Sequence, residues 1–84
     1  MNCNPKKPEH VSLIKSGRYY KVFNAETRFI YRMPALGAKI VRMCNGKNGL
    51  DDIKAVMKEK YGLRKKDVET FISELNKKGL VETE

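Results

Sequence analysis

The residues of this 84-residue chain that could do chemistry are few: Cys3 and Cys44, the single histidine His10, four tyrosines at 19, 20, 31 and 61, and a surplus of lysine and arginine. A thiol nucleophile needs an activating base beside it. His10 stands in a polar leader next to Pro8 and Glu9, whereas Cys44 falls on an apolar helical stripe, so Cys44 is expected to be a small core residue. Neither cysteine belongs to a Cys-x-x-Cys pair, and two cysteines cannot build a disulfide framework, so both are expected as free thiols. No His/Cys cluster has zinc-ligand spacing. Asn45-Gly46-Lys47-Asn48-Gly49 is glycine-rich but lacks the Gly-Lys-Ser/Thr ending of a phosphate-cradling loop, and reads as a helix stop and turn. No catalytic residue, metal ligand or cofactor is therefore expected, and the chemistry left is recognition.

Charge says what kind. Lys and Arg number 18 against 10 Asp and Glu, a net of +8. Residues 1–47 hold ten of the cations and two acids, Glu9 and Glu26; residues 48–84 hold eight of each. The longest stretch free of charged residues, Met33 to Ala38, is far short of the roughly 20 apolar residues a membrane span needs. Val11–Ile14 is likewise shorter than the roughly 7–15-residue apolar run of a secretory signal. The expectation is a cytoplasmic protein without a membrane partner.

Residues 1–9, with two prolines and no periodic pattern, are expected to be a disordered tail ahead of one domain over 10–84. Three runs of branched and aromatic residues follow, Val11–Ile14, Tyr19–Phe23 and Arg28–Met33, and predict an antiparallel meander. Alternation in the third would set Phe29, Tyr31 and Met33 on a core face and Arg28, Ile30 and Arg32 on the other. Pro34 suits the first turn of a helix over 34–44 whose stripe is Leu36, Ile40, Val41 and Cys44, closed by Asn45-Gly46. Gly49 is the expected N-cap of a second helix that carries Asp51 and Asp52 in its first turn and ends at Gly62. Val68, Phe71, Ile72 and Leu75 predict a third from about Arg64 to Lys78, ended by Gly79, with Leu80-Val81-Glu82 as a last short strand. The fold class is α+β, winged-helix-like, with an N-terminal three-stranded meander ahead of three helices.

Three helices in this order suggest a DNA-binding transcriptional regulator that reads the major groove with its third helix. That helix interleaves Asp67, Glu69 and Glu74 with its lysines, and acids facing phosphates oppose binding. Nucleic acid is thus the less favoured partner, and the tyrosines are read as strand packing before base stacking. If the third strand is a sheet edge, Arg28 and Arg32 either guard it against pairing or select an acidic peptide laid along it. The same edge would also allow a homodimer.

The stretch from Ile30 to Gly46, Ile-Tyr-Arg-Met-Pro-Ala-Leu-Gly-Ala-Lys-Ile-Val-Arg-Met-Cys-Asn-Gly, resembles the PqqD-like family, coenzyme PQQ synthesis protein D, in which a strand runs into an Ala-x-x-Ile-Leu-x-Leu-Cys-Asp-Gly helix. Leu50-Asp51-Asp52-Ile53, then Asp67-Val68 through Phe71-Ile72 to Leu75, and Lys78-Gly79-Leu80-Val81 are similar to that family's later motifs. Pro34 stands where the family usually has Asn, and Gly49 where it has a capping Thr. The resemblance implies a recognition element for ribosomally made, post-translationally modified peptides. Such an element adds the leader of a precursor peptide as a strand to the third strand, against the third helix, and presents it to a modifying enzyme, often of the radical S-adenosylmethionine type. Carried over by position, the peptide-binding residues would be Arg28, Phe29, Ile30, Tyr31 and Arg32 on the strand and Asp67, Thr70, Phe71, Glu74 and Lys78 on the helix.

Overall fold

A computed structural model describes residues 4–83 of the chain. Three antiparallel strands, β1 (Val11–Ser16), β2 (Tyr19–Asn24) and β3 (Ile30–Pro34), are followed by α1 (Ala35–Met43), α2 (Leu50–Tyr61) and α3 (Lys65–Lys77). The sheet order is β1-β2-β3, so β3 is an edge. This is the α+β meander-then-helices architecture expected from the sequence.

Local chemistry sets the joints. Ser16 pairs with Tyr19 across a two-residue loop whose first residue, Gly17, has φ 63, the position where a type II′ hairpin requires a left-handed residue. Pro34 is both the last residue of β3 and the N-cap of α1, at φ −70 and ψ 168, so strand passes into helix with no loop between them. Gly49 caps α2 as expected, its N–H donating to Asp52 Oδ2 at 3.2 Å. Gly62 closes that helix in the left-handed region at φ 68.

The helices gather on one side of the sheet, with α1 packed directly against β2 and β3 and with α2 and α3 packed on α1 and on each other. Val11, Val22 and Met33 from the strands meet Ala38, Ile40, Val41 and Cys44 of α1, Ile53 and Met57 of α2, and Val68, Ile72 and Leu75 of α3, with Leu80 and Val81 completing the core. Lys54 Nζ meets Glu69 Oε2 at 2.7 Å and ties α2 to α3; that hydrogen bond, reinforced by the ammonium charge, holds the Glu69 carboxyl below the usual carboxylate range.

Cys44 sits in this core, its Sγ–H donating to the Ile40 carbonyl at 3.2 Å. Burial pushes its thiol from the ordinary 9.0 up to about 12. The folded state holds that proton more tightly than the unfolded chain, so the stability tied to the neutral thiol is complete below the unfolded pKa and is lost as pH rises from there toward the folded one. The midpoint of urea unfolding is expected to fall across this alkaline window, with a smaller fall in Cys44→Ala. Cys3 lies outside the described residues.

Three expectations are corrected. Residues 4–9 are not a loose tail: Lys6 exchanges backbone hydrogen bonds with Glu82 at 2.8 and 2.7 Å, Lys7 N–H donates to the Cys44 carbonyl at 2.8 Å, and Pro5 and Pro8 are buried. Positions 1–3 of that expected tail lie outside the described residues. The anticipated last strand is reduced to the single bridge between Glu82 and Lys6. In the third strand, the ladder starts at Ile30, because Arg28 takes φ 64 in the preceding turn, and Phe29 is 61% exposed where a core position was expected.

Candidate functional site

The open side of β3 carries the main-chain groups that could hold a ligand, and the register says which they are. Asn24 N–H donates to the Phe29 carbonyl at 3.0 Å, and β2 pairs Val22 with Tyr31 and Tyr20 with Met33. In an antiparallel ladder, hydrogen-bonded pairs alternate with pairs whose groups point away. Tyr31 and Met33 therefore turn their N–H and C=O toward β2, while those of Ile30 and Arg32 point out of the sheet. Pro34 falls on the outward register too, so its missing N–H costs the sheet nothing, as is usual for proline on an edge.

Beside this edge runs α3, antiparallel to β3. Its C-terminal end meets the start of the strand, where Lys78 Nζ lies 5.3 Å from the centre of the Tyr31 ring, which Phe29 meets edge-on at 6.3 Å. Its N-terminal half faces the strand's end, where Pro34, Leu36, Gly37, Ile40, Leu63, Asp67, Val68 and Phe71 line an open cleft of about 200 Å³. Gly37 allows the close approach there: a Cβ at that position would meet the tip of the Phe71 ring at 2.9 Å and Met33 Cβ at 3.3 Å. Gly37→Leu is expected to overpack the cleft floor and cost about 1–3 kcal/mol, read from urea denaturation.

One buried side chain joins the two walls. The Asn24 carboxamide oxygen accepts from the N–H groups of Glu26 and Thr27 at 2.9 and 3.3 Å, shaping the β2–β3 turn, while its Nδ2 donates to the Gly79 carbonyl just past α3 at 3.3 Å. It is the only buried polar side chain among the described residues.

Of the residues expected at the site, Tyr31, Asp67, Phe71 and Lys78 come together along the groove, and Phe29 overhangs its upper end. Asp67, Thr70, Glu74 and Lys78 form the exposed stripe of α3 on either side of Phe71, spaced i, i+3, i+7 and i+11; Asp67 pairs with Arg64 at 3.1 Å. Ile30 and Arg32 contribute backbone to the edge, but their side chains stand on the opposite face of the sheet, where the Arg32 guanidinium stacks 5.1 Å from the Tyr19 ring centre. Arg28 lies in the turn and so shares no strand face with Arg32. From the sequence, Asn24 reads only as part of the link between two strands and Leu63 carries no role, while Leu36, 37% exposed at the cleft mouth, falls on the apolar stripe of α1. The available signal for Asn24 was an asparagine opening a four-residue link between two strands. No group of three or more potential metal ligands gathers among the described residues, and no helix among them is long and apolar enough to cross a membrane.

The whole arrangement has known counterparts. A solved structure of lasso peptide synthetase B1 complexed with the leader peptide superposes with a TM-score of 0.79 at 11% identity, over 94% of this chain and 98% of that one. TbiB1 in complex with the TbiA(beta) leader peptide superposes at 0.75 with 17% identity, over 92% and 94% of the two chains. At such identities the likeness is one of fold. A sequence search among curated proteins finds no match. The family model for coenzyme PQQ synthesis protein D matches residues 15–81, which takes in the end of β1, all of β2 and β3, the corner at Pro34, the cleft and all three helices, and by that match the chain belongs to the PqqD family.

Proposed function

We propose that the protein is a non-catalytic adaptor that binds the leader segment of a ribosomally made precursor peptide as a fourth strand on β3, and presents it to a peptide-modifying enzyme of the radical S-adenosylmethionine type. The observation that carries this reading is the unpaired β3 edge beside an apolar cleft. Main-chain groups of Ile30 and Arg32 supply sequence-independent affinity, and the cleft at Leu36, Leu63 and Phe71 takes an apolar peptide side chain. The solved relatives of the same fold are complexes with leader peptides. The acids Asp67, Glu69 and Glu74, all exposed on α3, disfavour the alternative of a DNA reader. Pairing of the β3 edge with a second copy would occupy the same groups, so peptide and homodimer compete in this scheme.

Amide hydrogen exchange tests it with synthetic peptides encoded beside the chain's own gene. In the free protein, the Ile30 and Arg32 amides are expected to exchange fast and those of Tyr31 and Met33 slowly. A peptide that adds as a strand slows Ile30 and Arg32 by at least about tenfold, the equivalent of roughly 1.4 kcal/mol. Binding that leaves both amides fast would rule out strand addition.

A further inference from the structure

Among the described residues, nothing covers the face of the sheet turned away from the helices. Three cross-strand rows build it: Ser12, Phe23 and Ile30; Ile14, Lys21 and Arg32; Ser16, Tyr19 and Pro34. Ile14 and Ile30 are 51% and 59% exposed, so two of the largest exposed aliphatic side chains of the described residues lie here. Neither Phe23 nor Tyr19 packs against the core. No acid occurs on the face, while Lys21 and Arg32 stand in its central row, and neither makes an ion pair among the described residues. Exposed apolar area crossed by unbalanced positive charge is the make-up of a docking surface.

We propose that this outer face docks the enzyme that modifies the bound peptide, through a surface of that enzyme that is apolar at its centre and acidic around it. The inference rests on the strand-addition reading and extends it. A peptide paired with β3 continues the sheet by one strand, and every second side chain of that strand projects onto this face. The enzyme would then meet a surface made jointly by domain and peptide, and would distinguish the loaded adaptor from the empty one without entering the groove.

Charge complementarity selects the occupant. A second copy of the chain would set Lys21 and Arg32 against their own equivalents, and like charges across an interface cost affinity. Nucleic acid is disfavoured because the isoleucines offer phosphates nothing and the ring of Tyr19, the natural stacking platform, is already covered by Arg32. An acidic protein surface satisfies both the cations and the isoleucines.

The test places p-benzoylphenylalanine at Ser12 of the full chain in the source organism, with Glu59 on α2 as the control position, followed by irradiation and mass spectrometry. The expected result is an adduct from position 12, absent from position 59, to a protein segment richer in Asp and Glu than in Lys and Arg. That protein, once purified, should modify the peptide held by this chain. Combining Ile14→Thr with Lys21→Glu, two substitutions that leave the β3 edge untouched, should cut adduct yield by about tenfold, as expected for losing an apolar anchor and reversing a charge. Peptide affinity of the same variant, measured on purified protein, should stay within about twofold, as expected of positions that contact no peptide. No adduct, an adduct to a second copy or to nucleic acid, one to a protein inert toward the peptide, or one indifferent to the double substitution would each overturn the inference. If the unsubstituted chain binds no peptide, the strand-addition reading falls by that measurement, separately from the crosslink.

Discussion

Arg32→Pro is expected to weaken peptide binding by about 10–100-fold while leaving the fold in place. The amide lost points out of the sheet, so the ladder between β2 and β3 keeps every bond, and proline on an edge strand is tolerated where its nitrogen faces solvent. The incoming peptide, by contrast, loses a donor at the middle of the exposed edge and meets the proline ring in its place. An acceptor left unpaired in that way costs about 1–3 kcal/mol, about 5–150-fold in affinity, a range that brackets the loss stated. Arg32→Ala separates backbone from side chain, since it keeps the N–H and removes only the guanidinium over Tyr19; its affinity should stay much nearer that of the unsubstituted protein. Tyr31→Pro is the converse control. Its amide faces Val22 in the ladder, so it should unfold the sheet, by about 3 kcal/mol or more. Calorimetric titration with the peptide, alongside thermal denaturation of all three variants, decides the matter, and equal affinities for the proline and alanine variants would sink the assignment of this edge.

Asn24→Ala is expected to lower stability by about 2 kcal/mol, because it removes three hydrogen bonds from a side chain only 2% exposed. In a domain of this size that corresponds to a fall in Tm of roughly 10 °C. The loss reaches beyond the turn. The turn holds Arg28 at φ 64, a conformation that costs a non-glycine residue roughly 1–2 kcal/mol, and without the carboxamide the chain there is free to relax. Release of the Gly79 carbonyl at the same time uncouples the end of α3 from the start of β3, so the contact between Lys78 and Tyr31 should loosen. A change in the Tyr31 ring resonances accompanying the drop in Tm would show that one amide sets the spacing of both walls; a stability loss with unchanged Tyr31 signals would confine its role to the turn.

How far the sequence could be read follows from where its signals are local. Val68, Ile72 and Leu75 repeat at helical spacing and are buried as that period requires. Gly49 and Gly62 marked the ends of α2 because capping is chemistry of one or two residues. The third strand failed at its start for the opposite reason. Arg28 and Phe29 have strand-forming neighbours, but a distant contact from Asn24 to Gly79 and a left-handed residue set where pairing begins. The N-terminal segment was illegible because its order depends on Cys44, Gly46 and Glu82 and on no pattern of its own; prolines suppress any periodicity while still burying well. At the candidate site, the residues named on α3 came from the family resemblance, by position in the motif. Leu36, Leu63 and Asn24 did not, since each acts through its place between elements.

The bond between Lys6 and Glu82 also sets a schedule for the molecule's birth. The segment at Lys6 waits for a partner at Glu82, beyond the third helix, and Leu80 and Val81, buried in the centre, emerge just before it. Until those residues leave the ribosome, the sheet stands beside an unfilled core with its N-terminal strap unfastened, and Asn24 has no Gly79 to hold. The meander is made early but the domain closes late, once the residues beyond α3 are free to pack, and the spacing between β3 and α3 is fixed only then.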